Sequence, residues 1–510
     1  MMPKIYISLL LSASSMITFA QSYQPAVFKD QDRVKKIAAT FSVIDQLYKT
    51  YAEENHIPGM VYGILADGKL IHTGYIGYTD ISNKTVAGTK SDFRIASMTK
   101  SFTAMAILKL RDEGKLRLDD PLSLYIPEMK TAKYPTADAS SVTIRHLLTH
   151  SAGYPEDNPW GDRQLAATEE ELLNIYKKGV SFSNDPGLGY EYSNLGFATL
   201  GYIIKKVSGL SYQDYITQNI LKPLGMSHTY WEYAKVPDDQ LAHGYRWVNS
   251  GWVEQPMLHD GSYSAMGGLI TTIEDFSRYM ALHLSAWPPK DDQESGPLKR
   301  SSIREMQYPW NLYALNPAEK TVNGRPCPTV NAYAYGLRWT KDCDHRVYVG
   351  HTGGLPGFGS QWTVMPEYGI GIVAFANATY ARAGVINMQV LDTLLSLSGI
   401  GPRQLPASAI LNKRKNELIK LLPKWENVAQ SGLFAQNFFL DYFTDRLKAD
   451  AAAAYSQVGE IRKINELVAE NQLRGYFILE GTKANIRITF TLTPENPALI
   501  QEYHLDLIPK

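Results

Sequence analysis

The stretch Phe93-Arg94-Ile95-Ala96-Ser97-Met98-Thr99-Lys100-Ser101-Phe102 constrains this chain most. It reads as a short strand or loop that turns into a helix. Past Ser97, apolar residues recur at helical spacing (Phe102, Met105, Ala106, Leu108, Leu110), and Gly114 closes the run as a C-cap. Ser97 and Lys100 are three apart, so they share one helix face about a turn apart. A serine at a helix N-terminus meets unpaired backbone N–H groups and the positive end of the dipole, and a lysine one turn on can take its proton. Nucleophile, base and anion-stabilising donors thus fall within one turn. Alone the motif is unspecific, since Ser-x-x-Lys is expected about once or twice by chance in a chain of this length. The plain alternative is an N-cap serine beside a solvated lysine.

At 510 residues the chain has room for two or three domains. Its 51 basic and 51 acidic residues balance and are scattered, which argues against a nucleic-acid partner or an acidic membrane surface. Residues 1–20 read as a signal peptide: a basic start, an apolar run centred on Leu9-Leu10-Leu11, and small-residue cleavage at Ala20. That run is too short for a good membrane span, no cysteine follows it, and no later apolar run reaches about 18 residues. An exported protein, periplasmic or secreted and without a transmembrane anchor, is the expectation. Cys327 and Cys343, the only cysteines, could then close a short loop as a disulfide. With no cysteine cluster and no His-Glu-x-x-His, neither a metal nor a cofactor is expected.

Along the chain, residues 31–55 fit an amphipathic helix. Met60 to Leu65 and Leu70 to Tyr78 form a hairpin about Asp67-Gly68. Residues 143–154 read as a short apolar helix whose His146 and His150, four apart, are better packed structural histidines than metal ligands. Tyr192-Ser193-Asn194 lies on a loop just before the apolar helix Leu195 to Val207, a usual place for catalytic groups. Residues 312–345 show little periodicity. Val347 to Val349 is a strand leading into Gly350-His351-Thr352-Gly353-Gly354, where glycines suggest close approach of backbone to a ligand. Two further strands, Gln361 to Met365 and Ile370 to Ala376, follow. Beyond about Gly401, helical patterns at 413–422 and 434–454 precede three strands, a separate small α+β domain.

Taken together these stretches resemble the penicilloyl-serine transferase family: class C β-lactamases, D-Ala-D-Ala carboxypeptidases, and related esterases and D-aminopeptidases. Its three ordered motifs match Ser97-Met98-Thr99-Lys100, Tyr192-Ser193-Asn194 and His351-Thr352-Gly353, and the wider likeness runs from about residue 50 to 390. The resemblance implies an α/β fold, an antiparallel sheet flanked by helices plus an all-helical region, over residues 21–404. The tail, 405–510, looks NTF2-like; a lipocalin-like barrel would need strands over most of it. By the same resemblance Ser97, Lys100 and Tyr192 are catalytic, with either lysine or tyrosine as the acylation base. Asn194, His351, Thr352, Gly353 and Gly354 bind substrate, Gly354 sharing an oxyanion hole with the Ser97 N–H. His351 lies on an edge strand. Lysine holds its place in β-lactamases; histidine titrates near neutrality and weakens the charge offered to a substrate carboxylate. A small peptide, ester or amide substrate is therefore expected over a β-lactam. The other reading is a catalytically silent binding protein of the cell envelope, and homo-oligomerisation is left open.

Overall fold

The computed structural model describes residues 23–510, so the signal peptide expected at 1–20 lies outside the described residues. The chain divides into two compact units, Phe28–Arg403 and Gln404–Lys510, the latter with residues 23–27.

In the larger unit, the single helix expected at 31–55 is two, α1 (Arg33–Ala38) and α2 (Phe41–Glu54). Strands β1 (Gly59–Ala66) and β2 (Lys69–Asp80) follow as an antiparallel hairpin with Ala66 opposite Lys69. Its two-residue turn, Asp67 (φ 52°) and Gly68 (φ 73°), takes the left-handed conformations that match strand twist. After β3 (Thr85–Val86) come α3 (Lys100–Asp112), α4 (Asn194–Ser208) and α5 (Ile273–Ser285). Three strands, β4 (Asn311–Asn316), β5 (Thr329–Tyr333) and β6 (Arg338–Lys341), occupy the region whose sequence lacks periodicity. They are short, and β4 is an edge strand that exposes Leu312 and Leu315, so no clean alternation marks them. Then come β7 (Val347–Leu355), β8 (Phe358–Met365), β9 (Ile370–Ala376) and α6 (Ala383–Ser398).

These nine strands form one sheet in the order β3-β2-β1-β9-β8-β7-β6-β5-β4, and every pairing is antiparallel. Its central strands are buried on both faces, as near-continuous apolar sequences require. Val61, Val373 and Phe375 join the core that holds Phe102 and Phe276 of α3 and α5. Tyr62, Ile372 and Ala374 face Tyr48 of α2 and Val390 of α6. Beside the sheet lies the helical region built on α4 and the short helices Ile144–Leu148, Glu169–Lys178 and Tyr212–Ile216.

The smaller unit has its own core, from Leu411 to Tyr503. It runs α7 (Ala409–Leu421), α8 (Thr444–Val458), then β10 (Ile461–Ile464), β11 (Arg474–Gly481), β12 (Ala484–Leu492) and β13 (Ile500–Pro509). These strands pair consecutively in an open antiparallel sheet, not a closed barrel. In β12, Ile486, Ile488, Phe490 and Leu492 are buried and alternate with half-buried polar residues, as their spacing predicts. Among the described residues no helix is long and apolar enough to cross a membrane.

Candidate active site

Ser97 does not open the α-helix itself. It sits in the 3-10 turn Ala96–Thr99, and α3 begins at Lys100. Ala96 has φ 50°, a left-handed conformation that a non-glycine residue rarely adopts and that marks stored strain. This kink turns Ser97 out of the β-connection, and among the described residues its N–H has no backbone acceptor. Close packing fixes the turn: the Ser360 hydroxyl of β8 donates to Ile95 O at 2.7 Å, and an added Cβ at Gly353 would lie 2.2 Å from both that carbonyl and that hydroxyl.

Lys100 is fully buried. Its Nζ lies 3.0 Å from Ser97 Oγ, 2.7 Å from Asn194 Oδ1 and 3.0 Å from Met266 O, and 4.8 Å from the centre of the Tyr192 ring. Burial pushes its pKa down to about 7; Asp162 and Asp157 oppose that shift and Arg338 adds to it. Tyr192 is driven the other way: burial raises its phenol well above 10, the neighbouring Ser97 hydroxyl only partly offsetting it. Both groups are thereby biased to their neutral forms.

Tyr192 and Asn194 flank Ser193, the N-cap of α4, whose hydroxyl accepts from Gly196 N. The Asp157 carboxylate takes two free N–H groups of that helix start, from Asn194 at 2.6 Å and Leu195 at 2.7 Å. The Asn194 amide nitrogen donates to Asn158 Oδ1 at 2.6 Å and lies 3.4 Å from Asp162 Oδ1, which aims its carbonyl oxygen at Lys100. Asp162 also accepts from the Tyr380 hydroxyl. Sequence reasoning missed both aspartates, because Asp157 lies in a loop and Asp162 in the short 3-10 turn Gly161–Arg163, with no motif spacing to Ser97.

His146 and His150 do not converge. His146 makes a capping box with Thr143 in the helix Ile144–Leu148; His150 follows that helix at φ 53° and its Nδ1 accepts from Ser193 N. His150 so holds the loop bearing Tyr192, its ring 4.2 Å from the tyrosine's.

His351 lies in β7, which is not an edge strand. β6 pairs only with Val347 to Gly350, however, so from His351 to Leu355 the strand has β8 on one side and no strand on the other. The expectation that His351 titrates near neutrality is not met. It is buried, and burial together with the Arg338 and Lys100 charges holds it well below its ordinary pKa. Its Nδ1 faces Thr352 O, which can only accept, so Nδ1 carries the proton and Nε2 accepts from the Tyr333 hydroxyl at 2.9 Å. Gly353 and Gly354 follow along the same strand, and Thr352 between them and His351 is exposed. The fixed charge here belongs to Arg338 on β6, unsuspected from sequence. Its guanidinium carbon is 5.8 Å from the centre of the Tyr192 ring, Nη1 donates to the Tyr313 hydroxyl, and Nε is buried without a hydrogen-bond partner among the described residues.

Cys327 and Cys343 are bonded and span the β5–β6 hairpin that carries Tyr333 and Arg338.

A helix-flanked antiparallel sheet with a serine and a buried lysine at the start of its central helix defines the β-lactamase-like class of serine hydrolase folds. The chain belongs to the Beta-lactamase family, whose model matches residues 44–395. It is similar to protein flp of Staphylococcus aureus (strain COL), 31% identical over 337 residues, or 66% of this chain and 62% of flp. It is also similar to penicillin-binding protein 4* of Bacillus subtilis (strain 168), 30% identical over 223 residues, or 42% of this chain and 48% of that protein. The matches thus span less than two thirds of these curated relatives' length. Two solved structures share the fold at 22% identity. The octameric penicillin-binding protein homologue from Pyrococcus abyssi has a TM-score of 0.58, covering 94% of this chain and 98% of that one. A class C beta lactamase has a TM-score of 0.55, covering 72% and 99%.

Proposed function

We propose that the chain is an exported serine hydrolase that forms an acyl-enzyme on Ser97 and cleaves amides or esters whose acyl or leaving portion carries a carboxylate. The observation that carries this reading is the set of neighbours around Lys100 Nζ. Two are carbonyl oxygens, Asn194 Oδ1 and Met266 O, which can only accept. A neutral amine spends its two N–H bonds on them and has one lone pair left, facing Ser97 Oγ at 3.0 Å. As Oγ bonds to the acyl carbon, its proton passes to Lys100. The oxyanion is met by the N–H groups of Ser97 and Gly354. Breaking the scissile bond returns a proton to the leaving nitrogen or oxygen through the Tyr192 hydroxyl. Water, deprotonated by the same route, then attacks the acyl carbon; the bond to Ser97 Oγ breaks, the acid leaves and the proton returns to Oγ. Arg338 supplies the permanent positive charge that His351 lacks, and pairs with the substrate carboxylate.

Export is supported by the apolar N-terminal sequence and by the disulfide, which fits an oxidising compartment. The name of the Bacillus subtilis relative, a penicillin-binding protein, supports acyl transfer to serine. The test is mass spectrometry of the intact protein after a serine-reactive fluorophosphonate. One adduct is expected, and none in Ser97→Ala. An adduct that persists in that variant refutes the nucleophile, and a wild-type protein that takes none favours the silent binding protein.

A further inference from the structure

A cavity of about 480 Å³ lies in the larger unit among residues the proposed reaction does not use. Its walls include Trp287, Tyr308, Trp310, Trp339, Val347 and Val349, within the size range of ordinary ligand sites. Several polar groups of this wall are already spent. Trp287 Nε1 donates to Gln307 Oε1 at 2.7 Å, and the Gln307 amide nitrogen is engaged by His283. Trp310 Nε1 donates to Glu305 O at 3.0 Å, and its ring stacks on Tyr335 with centres 5.1 Å apart. The Glu305 carboxylate holds Arg111 by both oxygens. The cavity therefore offers mostly ring faces and methyl groups, which suits a hydrocarbon chain.

Two charged groups are left over, one of each sign. Arg304 is half-buried in the wall, its guanidinium carbon 5.9 Å from the centre of the Trp287 ring. It donates to Ala286 O at 2.7 Å, and its neighbour Glu305 is committed to Arg111. The other wall carboxylate, Glu367, is exposed to solvent and makes no ion pair among the described residues. A half-buried cation without an ion pair among the described residues, beside an apolar chamber, favours an anion there.

We propose that this cavity binds an amphiphile with an apolar chain and a carboxylate head, the chain among the tryptophan rings and the head on Arg304. The site is independent of the catalytic reading. The test is calorimetric titration of the full chain with dodecanoate, below its micelle threshold, with tryptophan fluorescence followed alongside. Saturable binding of one molecule is expected, tightening about fourfold per methylene from octanoate upward. Arg304→Gln should weaken dodecanoate about tenfold and leave dodecanol unchanged. Val347→Phe, which fills the chamber, should weaken both; Tyr308→Ala, at an exposed wall position, serves the same purpose if the first variant misfolds. No saturable binding, an affinity indifferent to chain length, or binding that survives both wall variants would overturn the site. Dodecanol binding as tightly as dodecanoate would overturn the role of Arg304.

Discussion

Lys100 stands between charges of opposite sign, and this makes its protonation testable. Burial brings its pKa down to about 7, while Asp162 raises it and Arg338 lowers it. If neutral Lys100 is the base, kcat/KM for an uncharged p-nitrophenyl ester should rise with pH through about 7 and then level off, because Tyr192 stays a phenol across that range. Asp162→Asn removes the anion that favours the ammonium, so the acid limb should move to lower pH. Arg338→Gln removes the cation that disfavours it, so the limb should move to higher pH. Shifts of the same sign in the two variants would show that Lys100 is not the titrating base. Arg338→Gln should also raise KM about tenfold or more for a carboxylate-bearing substrate relative to the neutral ester. At this scale Ser97, Lys100, Tyr192, Asn194 and His351 were singled out in the sequence by their likeness to the family's three motifs, and the first four are neighbours in the fold; their roles stand as proposals. Asp157, Asp162 and Arg338 were not, because each reaches the site from a loop or short strand whose place only the tertiary fold decides.

Elements explain why the spacings hold. The 3-10 turn of Ser97 is wedged against β7 at Gly353, where a methyl group would displace the Ile95 carbonyl that Ser360 bonds. Gly353→Ala should cost about 1–3 kcal/mol and slow fluorophosphonate labelling at least tenfold. Thermal unfolding and labelling rates matching wild type would show that the contact yields freely. The disulfide closes a loop of sequence separation 16 around the β5–β6 hairpin, for which chain entropy allows up to about 3 kcal/mol. The variant Cys327→Ser with Cys343→Ser should lose stability within that bound and bind carboxylate substrates less well, with neutral esters little affected. Equal loss on both substrates would mean the bond supports the whole fold rather than the Arg338 strand. The β1–β2 hairpin and the strand alternation of β12 were readable from period and turn chemistry. The β4–β6 strands were not: edge position, shortness and mixed polarity erase the period-two signal.

At the scale of the molecule, the two units own separate cores, with Phe102, Phe276 and Phe375 in one and Trp425, Phe477 and Ile488 in the other. The proposal that the tail is a domain of its own predicts that residues 28–403 alone stay folded and keep full rate on a neutral ester, measured by circular dichroism and ester turnover. An insoluble or inactive fragment beside an active full chain would make the tail part of the catalytic fold. The proposed hydrolysis has a further use for the stretch of β7 from His351 to Leu355 that, among the described residues, has no strand on its second side. In the proposed reaction the peptide groups there, apart from the Thr352 carbonyl that His351 Nδ1 engages, would be a template for one more extended chain, gripped through its own amides. An enzyme that docks its substrate by main chain is indifferent to most side chains along it. Under the proposed function this one would select by backbone geometry and terminal charge, and would suit trimming many related molecules rather than one.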